Sequence, residues 1–179
     1  MAVSRTIPGC LLLCLLIAGP AAASGGGTRV TLSGVHLCCK ACVKGVQKVA
    51  AQVNGATFQA NADAGTVTVT AISTELAQKA IDAVAAAGFH GRSDHESVKV
   101  RDDSGAPDKT VDRLELEGAH LCCGKCVRAV NDALAKVKGF GSTTAEKKKS
   151  TFTIIGNFNA RAAVAALNKA GLHVRVRQP

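Results

Sequence analysis

Apolar residues follow two kinds of spacing along the chain, and these predict its strands and helices. Segments 28–37 and 112–121 alternate apolar and polar residues, which is typical of strands that bury one face. After each segment, apolar residues recur every three or four positions and predict an amphipathic helix. These positions are Val43, Val46, Val49 and Val53 in the first case, and Val127, Val130, Leu134 and Val137 in the second. Gly55 and Gly139 are expected to end the two helices.

Two further strands and a second helix follow each of these segments. A weaker strand is predicted at 56–62 and again at 141–147, and a clearer one at 66–72 and at 151–156. A helix follows, capped by Ser73 or Thr74 in the first case and by Asn159 in the second. Gly88 and Gly171 are expected to end these helices, and a short strand closes each unit.

The element order is therefore βαββαβ, written twice. This order predicts the α+β class and two tandem ferredoxin-like domains. Each domain is expected to be a four-stranded antiparallel sheet with two helices on one face.

An internal repeat supports the division into two domains. A shift of 84 residues superposes "LSGVHLCCKACVKGVQKVAAQVNG" on "LEGAHLCCGKCVRAVNDALAKVKG", with half of the positions identical. We place the first domain at 28–95 and the second at 111–179. The charged segment between them, 96–110, contains Ser-Gly and Ala-Pro and is predicted to be a flexible linker.

The first 23 residues have the features of a cleaved secretory signal peptide. Arg5 precedes an apolar run of about ten residues, and Ala21 to Ala23 form a small-residue cleavage site. The run is too short to span a bilayer comfortably, so we expect membrane contact only during export. The predicted location is the periplasm or the outside of the cell.

Charge and composition argue against several classes of function. The formal charge is +9, but the chain has no Trp or Tyr to stack on bases, so nucleic-acid binding is not expected. Ser, His and acidic residues occur without a nucleophile motif, and no glycine-rich phosphate loop is present. We therefore do not expect an enzyme.

Six cysteines remain after the signal peptide, and all lie in two short clusters, "LCCKACV" and "LCCGKCV". An exported chain normally uses cysteines in disulfides, but bridges within five residues close loops too short to stabilise a fold much. A dithiol that exchanges disulfides is a second hypothesis, and a metal site is the third. The clusters are predicted at helix N-termini, where the helix dipole favours thiolate. Thiolates with this spacing suit soft ions such as Cu(I) and Zn(II).

A strand, an xLxCxxC motif and a helix in a βαββαβ unit resemble the heavy-metal-associated domain of copper chaperones and metal-pumping ATPases. The resemblance implies that the CxxC cysteines bind the metal, and these are Cys39 and Cys42, then Cys123 and Cys126. The family's methionine position is occupied by Leu37 and Leu121. Further candidate ligands, where the chain departs from the family's motif, are Cys38, Cys122, His36 and His120.

We therefore expect an exported protein that sequesters or delivers Cu(I) or Zn(II), with about one ion per domain. Three thiolates would hold Cu(I) in trigonal geometry, and three thiolates with one imidazole would hold zinc. The resemblance implies partners such as a metal-transporting membrane protein or another domain of the same type. His90 and His173 occupy equivalent positions in the loop expected near each metal site. An interaction module held by structural zinc is the remaining alternative.

Overall fold

The computed structural model of the chain describes Met1 and residues 27–178. Its first half comprises β1 (Thr28–Ser33), α1 (Lys40–Ala50), β2 (Ala56–Asn61), β3 (Thr66–Ala71), α2 (Thr74–Ala86) and β4 (Arg92–Ser93). Its second half comprises β5 (Thr110–Glu117), α3 (Gly124–Leu134), β6 (Phe140–Thr143), β7 (Phe152–Asn159), α4 (Ala160–Lys169) and β8 (Arg175–Val176). The predicted βαββαβ order is confirmed in both halves. The predicted signal peptide, apart from Met1, lies outside the described residues. None of the helices described is long and apolar enough to cross a membrane.

Each half forms an antiparallel sheet with the same strand order. The orders are β2-β3-β1-β4 and β6-β7-β5-β8, which confirms the predicted class of two tandem α+β domains. In the first sheet Val30 lies opposite Val69 and Leu32 opposite Val67, and all four side chains are fully buried. Alternation along the strands thus directs one face of the sheet into the core. The buried residues of both halves form one continuous apolar cluster.

Side-chain caps begin the second helix of each half, as predicted. The hydroxyl of Ser73 accepts a hydrogen bond from the backbone N–H of Leu76. The side-chain oxygen of Asn159 accepts one from the N–H of Ala162. Each cap satisfies an amide that the first turn of a helix leaves without a partner.

The first helix of each half ends earlier than the sequence predicted. α1 ends at Ala50 and α3 at Leu134, so Val53 and Val137 lie beyond them. The chain tightens at this point, because Val53 N–H bonds to the carbonyl of residue 50 and Val137 N–H to that of residue 134. Bonds of this i→i−3 type keep an apolar residue on the inner side after the helix has stopped. The predicted stop at Gly55 and Gly139 was therefore too late.

The second helix of each half ends in a glycine cap, and the two caps join the halves. Gly88 and Gly171 have φ values of +88° and +82°. In each case the N–H of the residue after the glycine bonds back to the last helical turn, the pattern of a Schellman motif. The residues concerned, Phe89 and Leu172, are buried and pair with each other as an antiparallel bridge. Its hydrogen bonds run from His90 N–H to the carbonyl of residue 171 and from His173 N–H to that of residue 88, both at 3.1 Å.

The two cap glycines also press against the loop before the first helix of the opposite half. A Cβ added to Gly88 would lie 2.4 Å from the carbonyl oxygen of Gly118 and 2.4 Å from the amide nitrogen of His120. A Cβ added to Gly171 would meet Gly34 and His36 at the same distances. The halves therefore dock by backbone-to-backbone contact around an approximate twofold relation.

The segment between the halves makes contacts with both of them. In the first half, the side chain of Gln78 exchanges two hydrogen bonds with the backbone of Lys99. In the second half, Asp103 lies 2.8 Å from the Nε2 of His173, and the carbonyl of Ser104 accepts a hydrogen bond from Val176. The flexibility expected of this linker stays a prediction.

The contact between the halves can be tested with two glycine-to-alanine variants, each of which places an alanine at a positive φ. Gly34 has φ +75° with open space around its Cβ position, whereas Gly171 has both a positive φ and a backbone neighbour at 2.4 Å. We expect Gly34→Ala to lower the free energy of unfolding by about 1 kcal/mol, and Gly171→Ala to lower it by about 3 kcal/mol. Urea denaturation of the two variants measures both. Equal losses would show that the close approach contributes nothing.

Candidate metal centre

The cysteines lie at the end of the loop between the first strand and the first helix of each half, and in the first turn of that helix. Cys39 and Cys123 are the N-cap residues of α1 and α3, with extended backbones. Cys42 and Cys126 lie in the first turn and are completely buried. The first turns carry no acidic residue, and their amides and dipoles leave a partial positive charge at these positions. The predicted position of the clusters at helix N-termini is confirmed.

All six sulfur atoms lie in one group that spans both halves. Within the motifs, contacts between Sγ atoms of 3.6–3.9 Å join Cys38 to Cys42, Cys39 to Cys42, Cys122 to Cys126 and Cys123 to Cys126. Between the motifs, contacts of 3.4–3.5 Å join Cys38 to Cys123 and Cys126, and Cys122 to Cys39 and Cys42. All six are free thiols, so the structure contains no bridge among them. The sequence treated the motifs as two separate sites, whereas the fold brings them together.

The two upstream histidines take different positions at this group. A ring nitrogen of His36 lies within 4.8 Å of the Sγ atoms of Cys38 and Cys126. The ring of His120 instead packs against Phe89 of the first half, with centroids 4.6 Å apart. The Nε2 atoms of both histidines are buried and make no hydrogen bond. Each is a polar atom left without a partner, which is costly unless a ligand or ion completes the site.

Burial and mutual contact move the thiol pKa values in opposite directions. The pKa of Cys39 is lowered to about 7, chiefly by the backbone amide of Cys42. Burial raises the pKa of Cys38, and it raises that of Cys122 to about 12. The pKa of Cys42 is raised by its contact with Cys126, and the pKa of Cys126 is lowered by a hydrogen bond from Cys42. The metal-free group therefore keeps several protons, which a thiolate-binding ion has to displace.

His90 and His173 directly follow Phe89 and Leu172, the two residues of the interface bridge. Their rings stack with centroids 5.9 Å apart and an interplanar angle of 10°. The structure thus pairs these two histidines with each other across the halves. Burial, then the charge of His173, lowers the pKa of His90 to about 4, and burial lowers the pKa of His173 despite the nearby Asp103.

Gly45 is a contact residue that sequence analysis did not identify. It lies in α1, and a Cβ there would approach His120 Cε1 at 3.0 Å and the Phe89 ring at 3.1 Å. The equivalent residue in the second half is Ala129, so the two sides of the interface are not identical. A glycine within an amphipathic helix is the available sequence signal, because it costs about 1 kcal/mol there unless packing requires it.

Comparisons with known proteins add names of similar folds. No family model matches the sequence, and no curated protein matches it. A structure described as "Crosstalk between Cu(I) and Zn(II) homeostasis" is 21% identical, covers 37% of this chain and all of its own, and has a TM-score of 0.34. The N-terminal soluble domains of Bacillus subtilis CopA are 16% identical over 85% of this chain and 95% of theirs, with a TM-score of 0.33. The apo HMA domain of a copper chaperone for superoxide dismutase is 18% identical over 47% of this chain and 86% of its own, with a TM-score of 0.34. Heavy-metal-associated domains are thus among the structural neighbours, while the fold itself is established by the sheet orders above.

Alkylation rates should separate Cys39 from Cys42 in the metal-free, reduced protein. Cys39 is partly exposed with a pKa lowered to about 7, whereas Cys42 is buried and its pKa is raised. We expect iodoacetamide at pH 7.5 to modify Cys39 at least about tenfold faster, because the thiolate is the nucleophile. Mass mapping of the peptides gives the rates, and the same reaction in urea is the control. Equal rates in the folded protein would contradict the assigned environments.

From the pairing of His90 and His173 we expect the free energy of unfolding to fall as the solution becomes acidic. Unfolding lets His90 bind a proton near its ordinary pKa of about 6.5, whereas the folded state holds its pKa at about 4. The contribution of His90 to the free energy of unfolding is therefore complete above pH 6.5 and is lost between about pH 6.5 and 4. The slope is at most about 1.4 kcal/mol per pH unit and less for a partly exposed ring.

Replacement of His90 by Gln should flatten this pH dependence. Thermal melts of the metal-free protein between pH 7 and 4.5 measure it, with His95→Gln as the control outside the ring pair. Equal pH dependence in the wild type and His90→Gln would show that the pair is not the titrating group.

Proposed function

We propose that this protein is an exported carrier or store for a soft metal ion, with Cu(I) the ion that its ligands suit best. The observation that supports this most is the convergence of six free thiols from two distant motifs on one partly buried group. Such grouping is costly for thiolates without an ion, because burial opposes the charged form and neighbouring negative sulfur atoms repel one another. A bound cation offsets both costs.

The donor set favours soft ions over hard ones. The group offers thiolate sulfur and, at one place, a ring nitrogen of His36. Ca²⁺ and Mg²⁺ prefer oxygen ligands, whereas thiolates select Cu(I) and zinc. The sequence expectation of about two ions per chain belongs to this proposal.

The position of the group favours holding the ion over rapid release. Cys42 and Cys126 are completely buried, and the other four cysteines are partly buried at the contact between the two halves. An ion bound there leaves only when the halves separate or a competing thiol enters. We therefore propose sequestration as the main role, with delivery to a metal-transporting membrane protein or a related domain as a slower step. Export through the N-terminal signal places this activity in the periplasm or outside the cell.

A disulfide-exchange role is the second candidate, since Cys39 combines partial exposure with a pKa lowered to about 7. Such a thiolate attacks disulfides readily. Sulfur contacts of 3.4 Å would have to shorten to about 2.05 Å for a bond to form. The two roles differ in whether reduced protein retains metal.

Metal binding is tested by electrospray mass spectrometry under non-denaturing conditions. Reduced protein is mixed with a small excess of Cu(I) or, separately, of Zn(II), and free ion is removed. We expect about two Cu(I) ions per chain, retained against a weak thiol competitor. The matched control replaces all six cysteines by Ser and should retain none.

Failure to retain any ion at micromolar concentration would refute the proposal. Reversible cycling of a disulfide with glutathione, together with no metal retention, would instead support the exchange role. Thermal melts of the metal-free protein test the structural-zinc alternative, which predicts that the protein is unfolded without metal. The continuous apolar core should keep the reduced, metal-free protein folded.

A further inference from the structure

The sulfur atoms form overlapping groups, one of which, Cys122 with Cys123 and Cys126, lies within a single half. The shortest contacts of the first cysteine of each motif nevertheless define two trios that each combine both halves of the chain. This inference rests on the proposed function and concerns which thiols share an ion. One trio is Cys38 with Cys123 and Cys126, where the Sγ separations are 3.5, 3.4 and 3.9 Å. Within it, the CxxC pair comes from the second half and the third sulfur from the first half.

The other trio repeats this arrangement with the halves exchanged. Cys122 lies 3.4 Å from Cys39 and 3.4 Å from Cys42, which are themselves 3.8 Å apart. The three ligand atoms all lie within 4.8 Å of one another. The two trios follow the approximate twofold relation of the interface. The contribution of one sulfur from the opposite half is therefore a property of the whole docked structure.

The first cysteine of each motif lies closer to the other half than to its own. Cys38 is 3.8 Å from Cys42 of its own motif but 3.4 Å from Cys126. Cys122 is 3.6 Å from Cys126 of its own motif but 3.4 Å from Cys39. Both cysteines lie in the loop between the first strand and the first helix of their half, next to the N-cap cysteine.

The size of the trios suits an ion bound by three sulfurs. A metal–thiolate bond is about 2.3 Å, so three sulfurs around a trigonal ion lie about 4 Å apart, whereas two sulfurs of a linear site lie about 4.6 Å apart. The observed separations are 3.4–3.9 Å. A trigonal ion requires each sulfur to move outward by a few tenths of an ångström. A linear site would require the CxxC pairs to open much further.

We propose that the protein holds two trigonal Cu(I) ions, each bound by the CxxC pair of one half and the first cysteine of the other half. Cys38 completes the site of Cys123 and Cys126, and Cys122 completes the site of Cys39 and Cys42. Contacts of 3.8 Å between Cys38 and Cys42 and of 3.6 Å between Cys122 and Cys126 place the two sites side by side. The doubled cysteine thus links metal binding to the docking of the halves.

Cu(I) suits this arrangement because it accepts three soft ligands, whereas structural zinc is almost always four-coordinate. His36 lies next to Cys38 and Cys126, so it is placed beside one of the two sites. His120 packs against Phe89, which holds its ring in the interface. The two sites therefore share a thiolate pattern but differ in their neighbouring imidazole.

The test removes one CxxC pair and asks which extra cysteine serves the other. In full-length protein carrying Cys39→Ser and Cys42→Ser, one site remains. Adding Cys38→Ser to this background should lower the Cu(I) affinity at least about tenfold, as the loss of one bond to the ion. Adding Cys122→Ser should change it less than about threefold. Both affinities are measured by competition with a chelator that becomes coloured when it binds Cu(I).

The mirror background, Cys123→Ser with Cys126→Ser, should give the reverse result. There Cys122→Ser is expected to weaken binding and Cys38→Ser to leave it nearly unchanged. Circular dichroism of each metal-free variant checks folding, and if one background does not fold, the other decides.

Two results would overturn the inference. In the first, each extra cysteine supports only the pair of its own motif. In the second, neither matters, as expected for two-sulfur sites. Both results leave Cu(I) binding intact, whereas a wild-type chain that binds no Cu(I) would remove the proposed function itself.

Discussion

The backbone contact between the two helix-ending loops is the constraint on which the grouping of the six cysteines depends. Gly88 and Gly171 each adopt a positive φ, and each lies where a Cβ would collide with the opposite half. This close approach allows the antiparallel bridge between Phe89 and Leu172. The bridge fixes the distance between the loops that carry the cysteines.

Docking creates an electrostatic difficulty that the local structure reduces. In the proposed arrangement, a Cu(I) ion with three thiolates would carry a net charge of −2, and two such sites would lie side by side in a partly buried interface. The N-termini of α1 and α3 both point their partial positive charge at the cysteines. Lys40 and Lys125 lie in the same first turns, and the whole chain has a formal charge of +9. The two helix N-termini therefore place partial positive charge at the cysteine group.

The sequence predicted local features well because nearby residues determine them. Ser73 and Asn159 were identified as caps, and Gly88 and Gly171 as helix ends, from chemistry within a few residues. The helices before Gly55 and Gly139 were drawn too long, since an apolar pattern continues through a tightened turn. Periodicity reports which side of the chain is buried, and it does not report the hydrogen-bond type.

The sequence could not predict the grouping of the six thiols, because that depends on how two domains meet. The repeat indicated that Cys38 and Cys122 play equivalent parts, yet it gave no sign that each makes its shortest sulfur contacts with the other half. A linker with Ser-Gly and Ala-Pro favoured independent domains, whereas Asp103 and Ser104 in that segment bond to the second half. Interfaces of this kind rest on shape complementarity between distant surfaces, and a pattern along one chain does not encode it directly.

We propose that three sulfurs bind each Cu(I) ion. X-ray absorption at the copper edge, on wild-type protein loaded with two Cu(I) ions per chain, measures the sulfur count around the metal. We expect three sulfurs at about 2.3 Å from each copper. Two sulfurs per copper, with the extra cysteines still free to react, would contradict it.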